Sequence, residues 1–213
     1  MLRSITAVGL VALAVAAPSA LANQGGKYRG SGSDAGSRAN ITGSSSVPST
    51  GGVIATVRTQ GVSDGLFQFG HIKEGTSFTS NCGTGTIGYM VERKAVGGSY
   101  LCNAFFGVFG SNHKFSMLHV SGSGWNAYLD GSKIDGPYAL GYTSGLAFAV
   151  GEFNGSAPSS YSMTFGASGG TPWQYTVDRT NWITINSASN FNDGGWMITS
   201  LSVSVHHQPV RKP

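Results

Sequence analysis

One carboxylate in this sequence stands at the end of an apolar run. The stretch Gly145–Ser156 has the pattern of a buried strand that continues into a turn, and Glu152 lies near its end. The only other glutamates are Glu74 and Glu92. A carboxylate at a strand end of low polarity can take a proton from water and return it to a leaving group. Glu152 is therefore either a catalytic carboxylate or an ordinary charge beside a turn.

Other residue types that carry chemistry show weaker patterns. The five histidines have no H-x-E-x-H or H-E-x-x-H spacing, so we expect neither a metal site nor a cofactor. No helical pattern follows the signal region, so no G-x-S-x-G elbow at a strand-to-helix turn supports a serine nucleophile. Glu92 and Glu152 could form the carboxylate pair of a glycosidase on facing strands, although no further spacing supports that chemistry.

Cys82 and Cys102 are the only cysteines. In an exported chain we expect them to form one disulfide that closes a loop of about 20 residues and contributes ~3 kcal/mol. A free thiol nucleophile is the alternative, but no histidine partner pattern accompanies either cysteine.

The N-terminus has the features of an export signal. A positive start, an apolar run from Ile5 to Ala17 and the motif Ala20-Leu21-Ala22 predict a secretory signal peptide over residues 1–22. The protein is then secreted, without a membrane segment after cleavage. Residues 23–50 are rich in Gly and Ser, so we expect a flexible leader or a short pro-segment.

The remaining chain has the size of one domain. We place this domain at residues 51–208, followed by a tail over residues 209–213. From residue 51 onward nine Lys and Arg stand against eight Asp and Glu, a net charge of +1. Because no basic cluster is interleaved with aromatics, nucleic-acid binding is not expected. We expect a monomer.

Strand patterns fill the domain. Short runs rich in β-branched and aromatic residues alternate with Gly, Ser and Asp-Gly turn signals at intervals of about ten residues. Trp125, Ala127 and Leu129 alternate with polar neighbours, and Asp130-Gly131 then predicts a tight hairpin turn. This pattern predicts an all-β protein, an antiparallel jelly-roll sandwich of two curved sheets in one domain.

The order of these segments resembles the concanavalin-A-like sandwich of the glutamic peptidases (the eqolisins and the neprosin type) and of related exported bacterial proteins of unclear activity. Phe67-Gln68-Phe69-Gly70 resembles the Leu-Gln-x-Gly context of the eqolisin catalytic glutamine, and Gly151-Glu152-Phe153 resembles the context of the catalytic glutamate. An alternative alignment places Ala147 at the glutamate position. The resemblance implies that Gln68 and Glu152 form a catalytic dyad that activates water without a metal.

Three functions follow as hypotheses. The first is a hydrolase of the glutamic peptidase type with a polypeptide substrate. The second is a non-catalytic module that binds an extracellular glycan or a surface, and the third is an interaction protein that only shares the scaffold. Candidate binding residues are Tyr89, Glu92, Trp125 and Tyr128. Trp125 and Tyr128 could instead belong to the core.

Overall fold

The computed structural model describes residues 23–61, 63–166, 170–192, 196–199 and 203–207. The predicted signal peptide (1–22) and the predicted tail (209–213) lie outside these ranges and stay predictions. Within the described ranges no helix is long and apolar enough to cross a membrane.

The described chain is built from strands, as expected of short segments rich in β-branched and aromatic residues between turns. The strands in chain order are β1 (Asn23–Asp34), β2 (Gly36–Ser46), β3 (Gly51–Gln60), β4 (Leu66–Glu74), β5 (Thr79–Ser80), β6 (Gly83–Thr84), β7 (Ile87–Lys94), β8 (Tyr100–Phe106), β9 (His113–Val120), β10 (Gly124–Leu129), β11 (Ser132–Tyr138), β12 (Gly145–Gly155), β13 (Ser160–Phe165), β14 (Gln174–Thr176), β15 (Ile183–Thr184), β16 (Ser189–Asn192), β17 (Trp196–Thr199) and β18 (Val203–His207).

Two sheets form the sandwich. The seven-stranded sheet has the order β16-β1-β12-β3-β4-β7-β8, and we call it the front sheet. The second sheet has the order β11-β10-β9-β2-β13-β18-β17, with β14 and β15 attached beside β2, and we call it the back sheet. The short strands β5 and β6 pair only with each other in the described chain. All described pairings are antiparallel, so the predicted antiparallel sandwich is confirmed.

The core lies between the two sheets. Phe69 of the front sheet meets Phe115 of the back sheet edge to face, with ring centroids 4.8 Å apart. Trp125 is fully buried in the same core against Phe67, and its indole N–H donates to the carbonyl of Tyr142 at 2.8 Å. Because side chains alternate along a strand, every second residue of β3, β4 and β12 points into this core and the others point to the opposite face of the front sheet.

Residues 23–46 differ from the sequence-based expectation. We expected a flexible leader over residues 23–50, but β1 lies between β12 and β16 and β2 lies between β9 and β13. The described sandwich therefore includes residues 23–46, which precede the expected domain start at residue 51. The physical reason is that a strand enclosed by two neighbours needs few apolar side chains of its own, and β2 adds Ala39 and Ile41 to a core that other strands largely supply.

Glycine in β1 also has a structural role. An added side-chain carbon at Gly26 would lie 2.0 Å from the carbonyl oxygen of Ala149, so only glycine fits there against β12. A high glycine content predicts disorder in an isolated segment. In β1, however, glycine allows the strand to pack closely against β12.

Candidate active site

Glu152 and Gln68 project from the same face of the front sheet. In the register, Glu152 of β12 pairs with Ile54 of β3, while Gln68 of β4 pairs with Arg58 of β3. The β12 register runs without a shift from Leu146 to Gly155, so Glu152 lies on the face opposite the core.

The alternative alignment has a different structural consequence. Ala147 is fully buried in the core between the sheets, on the opposite face of β12. A side chain at this position could not reach the face that holds Gln68. Glu152 is therefore the residue of this strand that shares a face with Gln68.

Arg58 joins the two residues. Its Nε donates to Oε1 of Gln68 at 2.9 Å, and its Nη2 donates to Oε2 of Glu152 at 3.2 Å. Its Nη1 donates to Gln24 of β1 at 3.2 Å. Arg58 is only 3% exposed, and a buried guanidinium requires such charged and polar partners. The glutamine and the glutamate are thus held at the two ends of one planar cation.

Hydrogen bonds at both the oxygen and the nitrogen determine the orientation of the Gln68 amide. Its oxygen accepts from Arg58 and also from the hydroxyl of Thr56 at 3.0 Å. Its Nε2 donates to Oε2 of Glu92 at 2.6 Å. With donors at the oxygen and a carboxylate at the nitrogen, the amide has one favourable orientation, and the second hydrogen of Nε2 is left for another acceptor.

Glu92 and Glu152 have different surroundings. Burial, and after it the negative charge of Glu152, raises the pKa of Glu92, while the hydrogen bond from Gln68 opposes this effect. Asn81 also donates to Glu92 at 3.4 Å, and Asn154 donates to Glu152 at 2.9 Å. Two carboxylates with different surroundings in one site are typical of acid–base chemistry.

We predict a pH-dependent effect for Glu92→Gln. Because the pKa of Glu92 is raised on folding, its ionisation lowers stability increasingly as pH rises above the usual glutamate value of about 4.3. The variant removes this effect and keeps an acceptor for Gln68. Its urea midpoint, relative to that of the wild type, should be higher at pH 7 than at pH 4.

Asp64→Asn is a control with the opposite sign, because the hydrogen bond from Lys94 lowers the pKa of Asp64. Its midpoint relative to that of the wild type should be lower at pH 7 than at pH 4. An equal effect of Glu92→Gln at both pH values would contradict the assignment of Glu92 as a carboxyl that is destabilised by ionisation.

The four polar residues lie in an open groove of about 870 Å³. Arg58, Gln68, Glu92 and Glu152 line it together with residues 78–81 of the loop that leads into and through β5, and with Ser99 and Tyr100 before and at the start of β8. This volume lies within the range of binding sites for small molecules and short chain segments. We refer to this feature as the groove.

The predicted disulfide is present between Cys82 and Cys102. It connects the loop between β5 and β6 to β8, and Asn81 beside it contacts Glu92. The bond therefore holds one wall of the groove onto the edge of the front sheet.

Replacing both cysteines by alanine should lower the free energy of unfolding by about 3 kcal/mol, because the cross-link closes a loop with a sequence separation of 20 residues. Urea denaturation of the double variant and of the wild type measures the difference. A matched single change, Thr84→Ala in the same hairpin, should cost under about 1 kcal/mol. Equal stability of the double variant and the wild type would contradict this prediction.

The structure brings only one of the four predicted binding residues to the groove, and this residue is Glu92. Tyr89 is buried between the sheets against Phe115, with ring centroids 5.5 Å apart. Trp125 is in the core as well. Tyr128 alternates with core residues on β10, so it points away from the core on the back sheet. None of the three aromatic residues lines the groove, because Tyr89 and Trp125 point into the core and Tyr128 lies on the back sheet.

Arg58 is one of two site residues that sequence reasoning missed. It stands in β3 among Thr56, Val57 and Thr59, all of which are fully buried. A cation inside a strand of this composition is itself a signal, since buried charges are rare without a partner. Gln24 was missed because its segment was expected to be flexible.

Among the described residues no group of three His, Cys, Asp or Glu side chains could hold a metal ion. The arrangement of Gln68, Arg58, Glu92 and Glu152 supplies donors, acceptors and two carboxylates from the chain alone.

No protein-family model matches the chain, and no curated protein matches it. Solved structures do. Scytalido-glutamic peptidase with a peptide-based transition-state analogue superposes with a TM-score of 0.55 at 16% identity, covering 89% of this chain and 98% of that chain. The chain has the fold of the glutamic peptidases.

Two further structures agree with this fold. Scytalido-glutamic peptidase with a transition-state analogue inhibitor gives the same TM-score of 0.55 and the same 16% identity. SCP-B, a member of the eqolisin family in complex with the tripeptide Ala-Ile-His, gives a TM-score of 0.54 at 15% identity, with coverage of 89% of this chain and 98% of that chain. At these identities the similarity establishes the fold alone.

Proposed function

We propose that the protein is an exported endopeptidase of the glutamic peptidase type, which hydrolyses peptide bonds with Gln68 and Glu152. One observation carries the proposal. Both side chains meet at Arg58 on the floor of one open groove, on the fold that the glutamic peptidases share. The predicted signal peptide over residues 1–22 accounts for export.

Glu152 acts as the general base in this mechanism. Its carboxylate takes a proton from a water molecule in the groove, and the water oxygen attacks the carbonyl carbon of the peptide bond. The same carboxyl group then returns the proton to the leaving amine. Arg58 balances the negative charge of the carboxylate, and Asn154 holds its second oxygen at 2.9 Å.

Gln68 stabilises the oxyanion. The Nε2 hydrogen that is not donated to Glu92 is available to the oxygen of the tetrahedral intermediate. Because Thr56, Arg58 and Glu92 determine the amide orientation before substrate binds, little reorganisation accompanies the reaction. Glu92 is a positioning residue in this scheme, since it acts through Gln68.

The substrate in this proposal is an unfolded or extended polypeptide. Peptide release from casein by the purified protein, measured over pH 3 to 8, tests the activity. Absence of release over the whole range would overturn the proposal.

A binding module without hydrolysis is the second candidate. Arg58 donates hydrogen bonds to one oxygen of Gln68 and to one oxygen of Glu152. A catalytic water molecule could otherwise contact these two oxygen atoms. The groove also contains the aromatic residues Phe78 and Tyr100, on which a sugar ring could stack. Retention of a glycan on an array, without peptide release from casein, would favour this candidate.

A further inference from the structure

All three glutamates of the chain converge on one small cavity. Glu74, Glu92 and Glu152 come from β4, β7 and β12, and they line a cavity of about 40 Å³ on the same face as the groove. Phe78, Ser80, Glu92, Glu152 and Asn154 line both spaces, so the cavity is a side branch of the groove. Among the described residues Arg58 forms an ion pair with Glu152 but not with Glu74 or Glu92, so the cavity still favours a further positive charge.

Glu74 lines this cavity, and one of its carboxylate oxygens has no hydrogen-bond partner among the described residues. The side chain is only 4% exposed, and its Oε2 accepts from the backbone N–H of Thr86 at 2.9 Å. Its Oε1 is buried and has no hydrogen-bond partner in the described chain. A buried carboxylate oxygen that has no hydrogen-bond partner gains one when a bound ligand places a donor group beside it. Neither the proposed mechanism nor the packing of the core uses this atom.

The other walls of the cavity are apolar. Ile54, Ile72 and Met90 form a cluster of buried side chains beside Cys82, and Phe78 also lines the cavity. Apolar walls that end at a carboxylate fit an aliphatic stem that carries a cation at its tip. A compact ammonium suits a space of this size better than a planar guanidinium, which needs a wider planar site.

We propose that this cavity is a subsite for a lysine side chain next to the bond that is cleaved, with the ammonium donating to Oε1 of Glu74. The assignment of the lysine to a position next to the scissile bond rests on the proposed function, because Glu152 lines both the cavity and the groove. Binding of the lysine itself requires only Glu74 and the apolar walls.

Cleavage-site profiling tests the preference. A library of N-acetylated peptides is digested, and the cleavage sites are mapped by mass spectrometry. We expect lysine to be enriched at one of the two positions that flank the cut, and to be preferred over arginine. Hydrolysis without any enrichment of lysine at either position would overturn the subsite while leaving the proposed function intact.

A variant of Glu74 tests the contact. Two acetylated peptides are compared that differ only in lysine or norleucine, which has the same stem without the charge. Glu74→Gln keeps an acceptor for Thr86, and it should lower the ratio of kcat/KM for the lysine peptide to that for the norleucine peptide by about 10- to 100-fold. Asp64→Asn removes an acidic side chain outside both spaces and should leave the ratio unchanged. An unchanged ratio in Glu74→Gln would overturn the contact.

Binding separates this inference from the proposed function. If the wild type hydrolyses neither peptide, fluorescence anisotropy of labelled, acetylated lysine and norleucine peptides measures the subsite alone. Tighter binding of the lysine peptide, lost in Glu74→Gln, would support the subsite although the peptidase had failed. Equal affinity for both peptides would overturn it. A third peptide, with norleucine and a free N-terminus, shows whether the ammonium of a chain terminus enters in place of lysine.

Discussion

Glu152→Gln should reduce kcat for peptide hydrolysis by about 10²- to 10⁴-fold, because an amide cannot take the proton of the attacking water. Gln68→Ala should reduce kcat by about 10²- to 10³-fold through loss of the oxyanion donor. Initial rates on an internally quenched peptide, at saturating and subsaturating concentrations, give kcat and KM for each variant.

Stability must be measured with these rates. Glu152→Gln leaves the buried Arg58 without its carboxylate, and breaking a buried ion pair can cost about 3–5 kcal/mol. Gln24→Met is the matched control, since it also removes an acceptor from Arg58 but lies outside the groove lining. We expect Gln24→Met to lower the unfolding midpoint and to retain hydrolysis.

Folded Glu152→Gln and Gln68→Ala proteins that each keep more than about a tenth of the wild-type kcat would exclude the dyad, because both expected losses exceed this limit. A loss of activity in Gln24→Met equal to that in Glu152→Gln would also count against it, as stability and not proton transfer would then explain the losses.

A chain that begins at Gly51 should not fold. Without residues 23–50 the back sheet loses β2 from between β9 and β13, and the front sheet loses β1 from between β12 and β16. The backbone groups of these neighbours would lose their partners, and each buried unsatisfied group costs about 1–3 kcal/mol. Several such losses exceed the typical stability of about 5–15 kcal/mol of a domain.

The comparison is between chains that begin at Asn23 and at Gly51. The longer chain should show a cooperative urea transition, and the shorter chain should show none, with a near-ultraviolet circular dichroism spectrum without fine structure. A cooperative transition in the shorter chain would mean that residues 23–50 are dispensable, as expected of a leader.

A matched pair within β2 tests the same point without truncation. Ala39→Asp places a carboxylate in the core, where Ala39 is fully buried, and should destabilise by more than about 4 kcal/mol. Ser44→Asp places the same side chain on an exposed position of the same strand and should change the stability by about 0.5 kcal/mol or less.

Local sequence patterns were sufficient to predict the all-β architecture. Alternation in the segment that forms β10 placed Trp125, Ala127 and Leu129 on one face, and all three contribute to the core. Asp130-Gly131 predicted a tight turn, and both residues have the positive φ values, 50° and 90°, that such a hairpin requires. The pairing of Cys82 with Cys102 also followed from the sequence, since these are the only two cysteines. Periodicity and turn chemistry act between near neighbours, so one sequence is enough to show them.

Composition was misleading for residues 23–46. Low hydrophobicity predicts disorder when a segment must supply its own buried surface. Here β3, β9, β12 and β13 supply that surface and the hydrogen-bond partners. Only the strand order shows this, because partners distant in sequence decide whether a glycine-rich segment is ordered.

Some features of the candidate site were likewise predictable from the sequence, and others only from the tertiary structure. Sequence singled out Gln68 and Glu152, and parity alone places Glu152 on the face of β12 opposite Ala147. The sheet order and register then brought Arg58 between them and placed Glu92 beside Gln68. Convergence of Glu74 with the other two glutamates likewise depends on strands far apart in the chain. The sequence alone thus predicted the fold class and three of the candidate site residues, Gln68, Glu92 and Glu152, whereas their contacts, the charge balance from Arg58 and the cavity beside them were decided by long-range strand pairing, which no local pattern encodes.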